Sequence, residues 1–140
     1  MVAVATGAMD GFGFGLNARA ALMTRALTEI RKIGVAKGAD PLTFAGLSGL
    51  GDLILTCTGQ YSRNRTVGLK LAQGMHLKEV IREVGQVAEG IRTAKSAHLL
   101  AQKLGVDVPI IDTVYRVLYE GIDPQKAMEH LFQLSPSSDI

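Results

Sequence analysis

Four consecutive residues, Ser62-Arg63-Asn64-Arg65, carry the side chains best suited to chemistry in this sequence. A helix is expected to begin there, because Ser62 is a good N-cap, Val67 and Leu71 open an apolar stripe, and Gly74 supplies a stop. Cations in a first turn oppose the positive end of the helix macrodipole, at about 0.3–1 kcal/mol each. A hydroxyl, an amide, two guanidiniums and the backbone N–H groups of a helix start together suit a phosphate, for which a bidentate arginine is the natural clamp. The competing reading is a solvated, arginine-rich helix start whose charges pair with nearby acids.

Two carboxylates come next. In Gly46-Leu-Ser-Gly-Leu-Gly-Asp52-Leu-Ile-Leu-Thr-Cys-Thr58 the glycines let backbone approach another helix or a ligand, and an apolar run follows Asp52. Asp52 is either a helix cap or a carboxylate that accepts hydrogen bonds from substrate hydroxyls, and both roles can coexist. Glu89, before Gly90, falls at a helix start, where a carboxylate is electrostatically welcome whether or not it belongs to a site. His76, His98 and His130 lack ligand spacing, so no metal site is expected, and His98 reads as a satisfied core or boundary residue. Cys57 has no histidine nearby and reads as a buried, inert thiol. Tyr115 and Tyr119, one turn apart, read as core-edge packing.

The elements that must position these groups are helical throughout. Asn17 is expected to cap a long helix with Met23, Ala26, Leu27, Ile30 and Ile33 on one face. Asp40-Pro41 is a cap followed by a proline at the first helical position. Leu77, Val80, Ile81 and Val84 mark another stripe, and Ile91, Ala94, His98 and Ala101 mark the next, stopped near Gly105. Pro109 starts a helix that ends before Gly121, and Asp123-Pro124 opens the last, through about Phe132. Val2 to Ala5 alternates like a strand, and Gly13-Phe-Gly15-Leu-Asn-Ala18 satisfies G-x-G-x-x-A, yet one short strand cannot build a doubly wound sheet. Those glycines are expected to turn the chain between two helices. The fold class is therefore all-α, a single multi-helix domain over 1–134 with a tail at 135–140.

Composition narrows the function. The 140 residues carry a net charge of only +2, with basic residues dispersed, so a nucleic-acid partner is not expected. The helix after Arg65 reads Thr-Val-Gly-Leu-Lys-Leu-Ala, without base-reading side chains. One cysteine excludes an internal disulfide and fits a reducing, cytoplasmic compartment. Neither a signal peptide nor a membrane span is expected. A helical interaction or dimerisation module remains the alternative to a substrate-binding domain.

Several of these segments together resemble one family. Gly-Leu-Gly-Asp52-Leu-Ile-Leu-Thr-Cys-Thr58, Ser62-Arg-Asn-Arg65 and Val87-Ala-Glu89-Gly90-Ile-Arg-Thr-Ala resemble the C-terminal domain of bacterial NAD(P)-dependent glycerol-3-phosphate dehydrogenases. Asp10-Gly-Phe-Gly-Phe-Gly15, Asn17-Ala-Arg-Ala, Val108-Pro-Ile and Val114-Tyr-Arg-Val-Leu-Tyr-Glu-Gly121 agree, in the expected order. The resemblance implies the helical fold of the 6-phosphogluconate dehydrogenase-like superfamily. It also implies a preceding Rossmann domain for NAD or NADP, and hydride transfer between dihydroxyacetone phosphate and sn-glycerol 3-phosphate in glycerophospholipid precursor synthesis.

Carried onto this sequence, it gives Asp52, Ser62, Arg63 and Asn64 to the phosphorylated substrate, and Arg63, Val87 and Glu89 to the cofactor. The family's general base is a lysine in a Leu-Lys-Asn segment expected immediately before Met1. None of Lys32, Lys37, Lys70, Lys78, Lys95, Lys103 or Lys126 stands in that context. The chain is thus expected to be the catalytically inactive C-terminal part of an enzyme, with a homodimer as the family's assembly.

Overall fold

Val2–Gly11 forms helix α1 rather than a strand, and every residue from Val2 to Met9 is buried. Such a segment, apolar all round, is stable only at the centre of other helices. In the computed structural model, which describes residues 1–38, 63–84 and 89–133 (backbone alone at 89, 132 and 133), six further helices follow it. They are α2 (Leu16–Ala36), α3 (Arg63–Ala72), α4 (Leu77–Val84), α5 (Glu89–Leu104), α6 (Pro109–Tyr119) and α7 (Pro124–Gln133). No strand occurs among the described residues, so the all-α reading holds. The Asp40-Pro41 helix start lies outside them.

Among the described helices α1 and α3 pack most extensively, because a glycine on each faces the other's backbone. A Cβ on Gly68 would lie 1.8 Å from the Val4 carbonyl oxygen, and one on Gly7 would lie 2.0 Å from that of Arg65. Backbone touches backbone at both points. Val67 and Leu71 complete the buried face of α3, as their spacing predicts. Gly74, at φ 92, then ends the helix: its N–H donates to the Leu71 carbonyl, and the Met75 N–H donates to that of Lys70.

The start of α2 differs from expectation. Its N-cap is Gly15 in extended conformation, with no side-chain cap, and Asn17 is exposed inside the first turn. The turn at Gly13, with φ 79, delivers the chain two residues earlier than a capping asparagine needs, and the Gly15 carbonyl accepts the Arg19 N–H. Met23 and Ala26 are buried, while Ile30 and Ile33 pack at the margin of the core.

Among the remaining helices, Val80 is fully buried on α4, and Ile91, Ala94, His98 and Ala101 form the inner face of α5. His98 is a satisfied boundary residue: Nδ1 lies 2.7 Å from Asp112 Oδ1, and the ring stacks on Tyr115 at 3.9 Å. Tyr115 stacks in turn on Tyr119, whose hydroxyl donates to the Ile91 carbonyl at 2.6 Å. Helix α6 starts at Pro109 with no side-chain cap of its own. The cap comes from α2, where the Glu29 carboxylate, 4 % exposed, accepts the N–H groups of Ile110 at 2.9 Å and Ile111 at 3.0 Å. Burial pushes the Glu29 carboxyl up to about 7, against the pull of those two donors.

Candidate functional site

Helix α3 presents its first three residues to three different surroundings. Side chains two positions apart on a helix point to nearly opposite sides, so Arg63 and Arg65 do not share one face. Arg63 is exposed at the tip. Arg65 is half-buried and turns back to α1, where Nη2 meets Asp10 Oδ2 at 2.5 Å. Arg19 of α2 pairs with the other oxygen of the same carboxylate. Burial alone would raise the Asp10 carboxyl, but the hydrogen bonds and charges of Arg19 and Arg65 outweigh it and hold the pKa below its ordinary value. The expectation that two guanidiniums converge on one anion is thereby corrected: Arg65 ties α3 to α1 and α2, and Arg63 is the arginine at the tip.

Asn64, between them, is half-buried, and its Oδ1 accepts the Gly90 N–H at 2.8 Å. That bond joins the start of α3 to the start of α5. Gly90 leaves no room for more: a Cβ there would lie 2.5 Å from Asn64 Oδ1 and 2.7 Å from the Met1 backbone nitrogen. The amino ends of α1, α3 and α5 therefore meet at one place. Each helix start carries about half a positive charge, and Arg63 adds a full one. Such a junction attracts an anion and offers it directional donors.

Of the residues singled out from sequence, Arg63 and Asn64 stand at this junction, and Glu89 is the first residue of α5, next to Gly90. Asp52, Ser62 and Val87 lie outside the described residues, as does Cys57. Sequence reasoning missed the Asn64–Gly90 bond, for which the only local sign was a glycine directly after an expected helix start. It also missed Asp10 as the partner of Arg65. A cavity of about 400 Å³, lined by Phe12, Leu71, Met75, His76 and Ile122 among others, lies at the carboxyl ends of α1 and α3, at the other end of the helix pair.

The described residues contain no group of three side chains able to hold a metal ion and no helix long and apolar enough to cross a membrane. Nor do they build a dinucleotide fold, since Gly13 to Ala18 joins two helices and follows no strand.

The profile of one family, described as NAD-dependent glycerol-3-phosphate dehydrogenase C-terminus, matches residues 1–129. The chain is 58% identical over 140 residues to glycerol-3-phosphate dehydrogenase (NAD(P)+) of Anaeromyxobacter sp. strain K, covering 100% of this chain and 42% of the relative. It is 53% identical over 133 residues to the enzyme of that name from Syntrophobacter fumaroxidans, covering 95% of this chain and 39% of the relative. A crystal structure of glycerol-3-phosphate dehydrogenase from Coxiella burnetii superimposes with a TM-score of 0.92 at 45% identity, over 95% of this chain and 41% of that one. An all-helical domain of this kind is thus the one found at the C-terminus of glycerol-3-phosphate dehydrogenases. The chain belongs to the family of NAD-dependent glycerol-3-phosphate dehydrogenase C-termini, and it spans about two fifths of the length of the curated relatives it matches.

Proposed function

We propose that this chain is the substrate-closing part of an NAD(P)-dependent sn-glycerol-3-phosphate dehydrogenase, which interconverts dihydroxyacetone phosphate and sn-glycerol 3-phosphate. The observation that carries the reading is the junction itself: three helix starts meet beside Arg63 and Asn64, and the positive ends of helices next to a guanidinium and a carboxamide suit a phosphate. Arg63 clamps the phosphate through paired N–H donors, and Asn64, whose Oδ1 is engaged by Gly90, donates from Nδ2. Ser62 adds a hydroxyl at the same helix start, and Asp52 accepts hydrogen bonds from the glycerol hydroxyls. Arg63, Val87 and Glu89 form this chain's flank toward the cofactor. NAD or NADP, when bound, carries the hydride.

The proton belongs to a lysine outside this sequence, in a segment that enters α1 at Met1. Met1 lies against Gly90, so a residue just before α1 is delivered to the junction where the phosphate is held. Holding the substrate by its phosphate while a separate Rossmann domain presents the cofactor converts an encounter of three partners into a positioned reaction. The Rossmann domain is thus this chain's first partner, a second copy is another, and the cytoplasm, where glycerophospholipid precursors arise, is the setting.

The test compares two polypeptides. The complete enzyme, with its cofactor domain, oxidises NADH or NADPH in the presence of dihydroxyacetone phosphate, and the 140-residue chain alone does not. Turnover by the isolated chain, or none by the complete enzyme, would refute the proposal.

A further inference from the structure

The bond between Asn64 and Gly90 joins residues 26 positions apart and sits where α3 and α5 begin. An amide N–H in the first turn of a helix has no partner within that helix and ordinarily takes one from a residue just before it. In α5 the Gly90 N–H takes its partner from another helix. The acceptor belongs to the side chain immediately after Arg63, and the donor to the residue immediately after Glu89. Gly90 itself is buried, and the space a side chain would fill is occupied by Asn64 Oδ1 and by the Met1 nitrogen.

We propose that Asn64 is a positioning residue for the cofactor flank: its Oδ1, through the Gly90 N–H, holds the first turn of α5 in register with the first turn of α3, and Gly90 must lack a side chain for this to happen. The inference rests on the dehydrogenase reading given above and adds to it a role for Asn64 separate from phosphate binding. One carboxamide has two ends. Nδ2 can donate to a phosphate oxygen while Oδ1 is spent on α5, so a single side chain fixes the distance between the substrate's anion and the turn that carries Glu89. An aspartate keeps the acceptor and loses the donor, whereas an alanine loses both. The two functions can therefore be separated.

The experiment uses the complete enzyme and reads cofactor affinity without substrate, by titrating NADH and NADPH fluorescence, beside the steady-state KM for glycerol 3-phosphate. Asn64→Ala weakens cofactor binding about tenfold, the scale of one lost hydrogen bond together with a displaced turn. Asn64→Asp restores cofactor affinity to within about twofold of the parent while its KM for glycerol 3-phosphate rises about tenfold or more, because a carboxylate now faces the phosphate. Gly90→Ala, which removes no group able to touch either ligand, weakens cofactor binding at least as much as Asn64→Ala. Hydrogen exchange of the Gly90 amide is faster in Asn64→Ala and unchanged in Asn64→Asp.

Equal cofactor affinity in the parent and Asn64→Ala, or equal losses in Asn64→Ala and Asn64→Asp, would overturn the inference alone. A parent enzyme that binds no nicotinamide cofactor would overturn the dehydrogenase reading and this inference with it. If Gly90→Ala fails to fold, the pair of Asn64 variants still decides.

Discussion

Replacing Gly68 with alanine tests the packing that brings the helix starts together. The new Cβ would lie 1.8 Å from the Val4 carbonyl oxygen and 2.7 Å from the Ala8 nitrogen, both of them backbone atoms that cannot rotate away. Relief requires α1 and α3 to separate by about 1 Å along a contact that runs beside the buried residues of α1. Overpacking a well-filled core costs typically about 1–3 kcal/mol, and a rigid backbone neighbour puts this case at or above the upper end. Alanine returns about 1 kcal/mol through its better helix propensity. The net loss is therefore about 2 kcal/mol or more. Gly7→Ala, facing the Arg65 carbonyl at 2.0 Å, should follow closely. Gly11→Ala meets mainly side chains, Ala72 and Leu69, and should cost least. Urea unfolding of the chain, followed by far-UV circular dichroism, gives the three midpoints. An unchanged midpoint in Gly68→Ala, or Gly11→Ala as the most damaging of the three, would refute the reasoning.

Arg63→Ala in the complete enzyme should lower kcat/KM for glycerol 3-phosphate about a hundredfold, roughly 3 kcal/mol for a lost charge-assisted phosphate contact, and near-normal kinetics would remove Arg63 from the site. The Asp10 carboxyl is held below its ordinary value of 3.8, so its contribution to stability is present above that pH and is lost as the pH falls further. Asp10→Asn should accordingly flatten the acid limb of a stability-versus-pH curve, and an unchanged limb would count against the Arg19 and Arg65 pairing. For Glu29 the sign is opposite. Its pKa rises from 4.5 to about 7 on folding, so stability is fullest below pH 4.5 and declines as the pH climbs toward 7. Glu29→Gln should remove that decline in urea titrations run across the interval, and parallel curves for the two proteins would disprove it.

The helices were legible because their signals are local. Pro109 and Pro124 sit at first helical positions, Gly74 stops α3, and the stripes on α4, α5 and α6 fall on the buried faces. Short-range patterning failed where a partner came from elsewhere in the chain. Glu29 lies on α2, 81 positions before the amide it caps, and nothing near Pro109 announces it. Asn17 carries a good capping side chain, yet Gly13 and Gly15 turn the chain so that the helix begins before it. The phosphate-type helix start was recognisable from its residue types, and Arg63 and Asn64 stand at the junction. Arg65 was misjudged because composition was counted without its angle around the helix, although positions 63 and 65 face apart on any α-helix.

Where α1 and α3 touch through main chain alone, no side chain lies between them that could change rotamer and let one slide past the other. Whatever peptide enters α1 thus takes its distance from the Arg63 tip largely from main chain, which the Arg65–Asp10 pair and the Leu69 and Ala72 side chains reinforce further along.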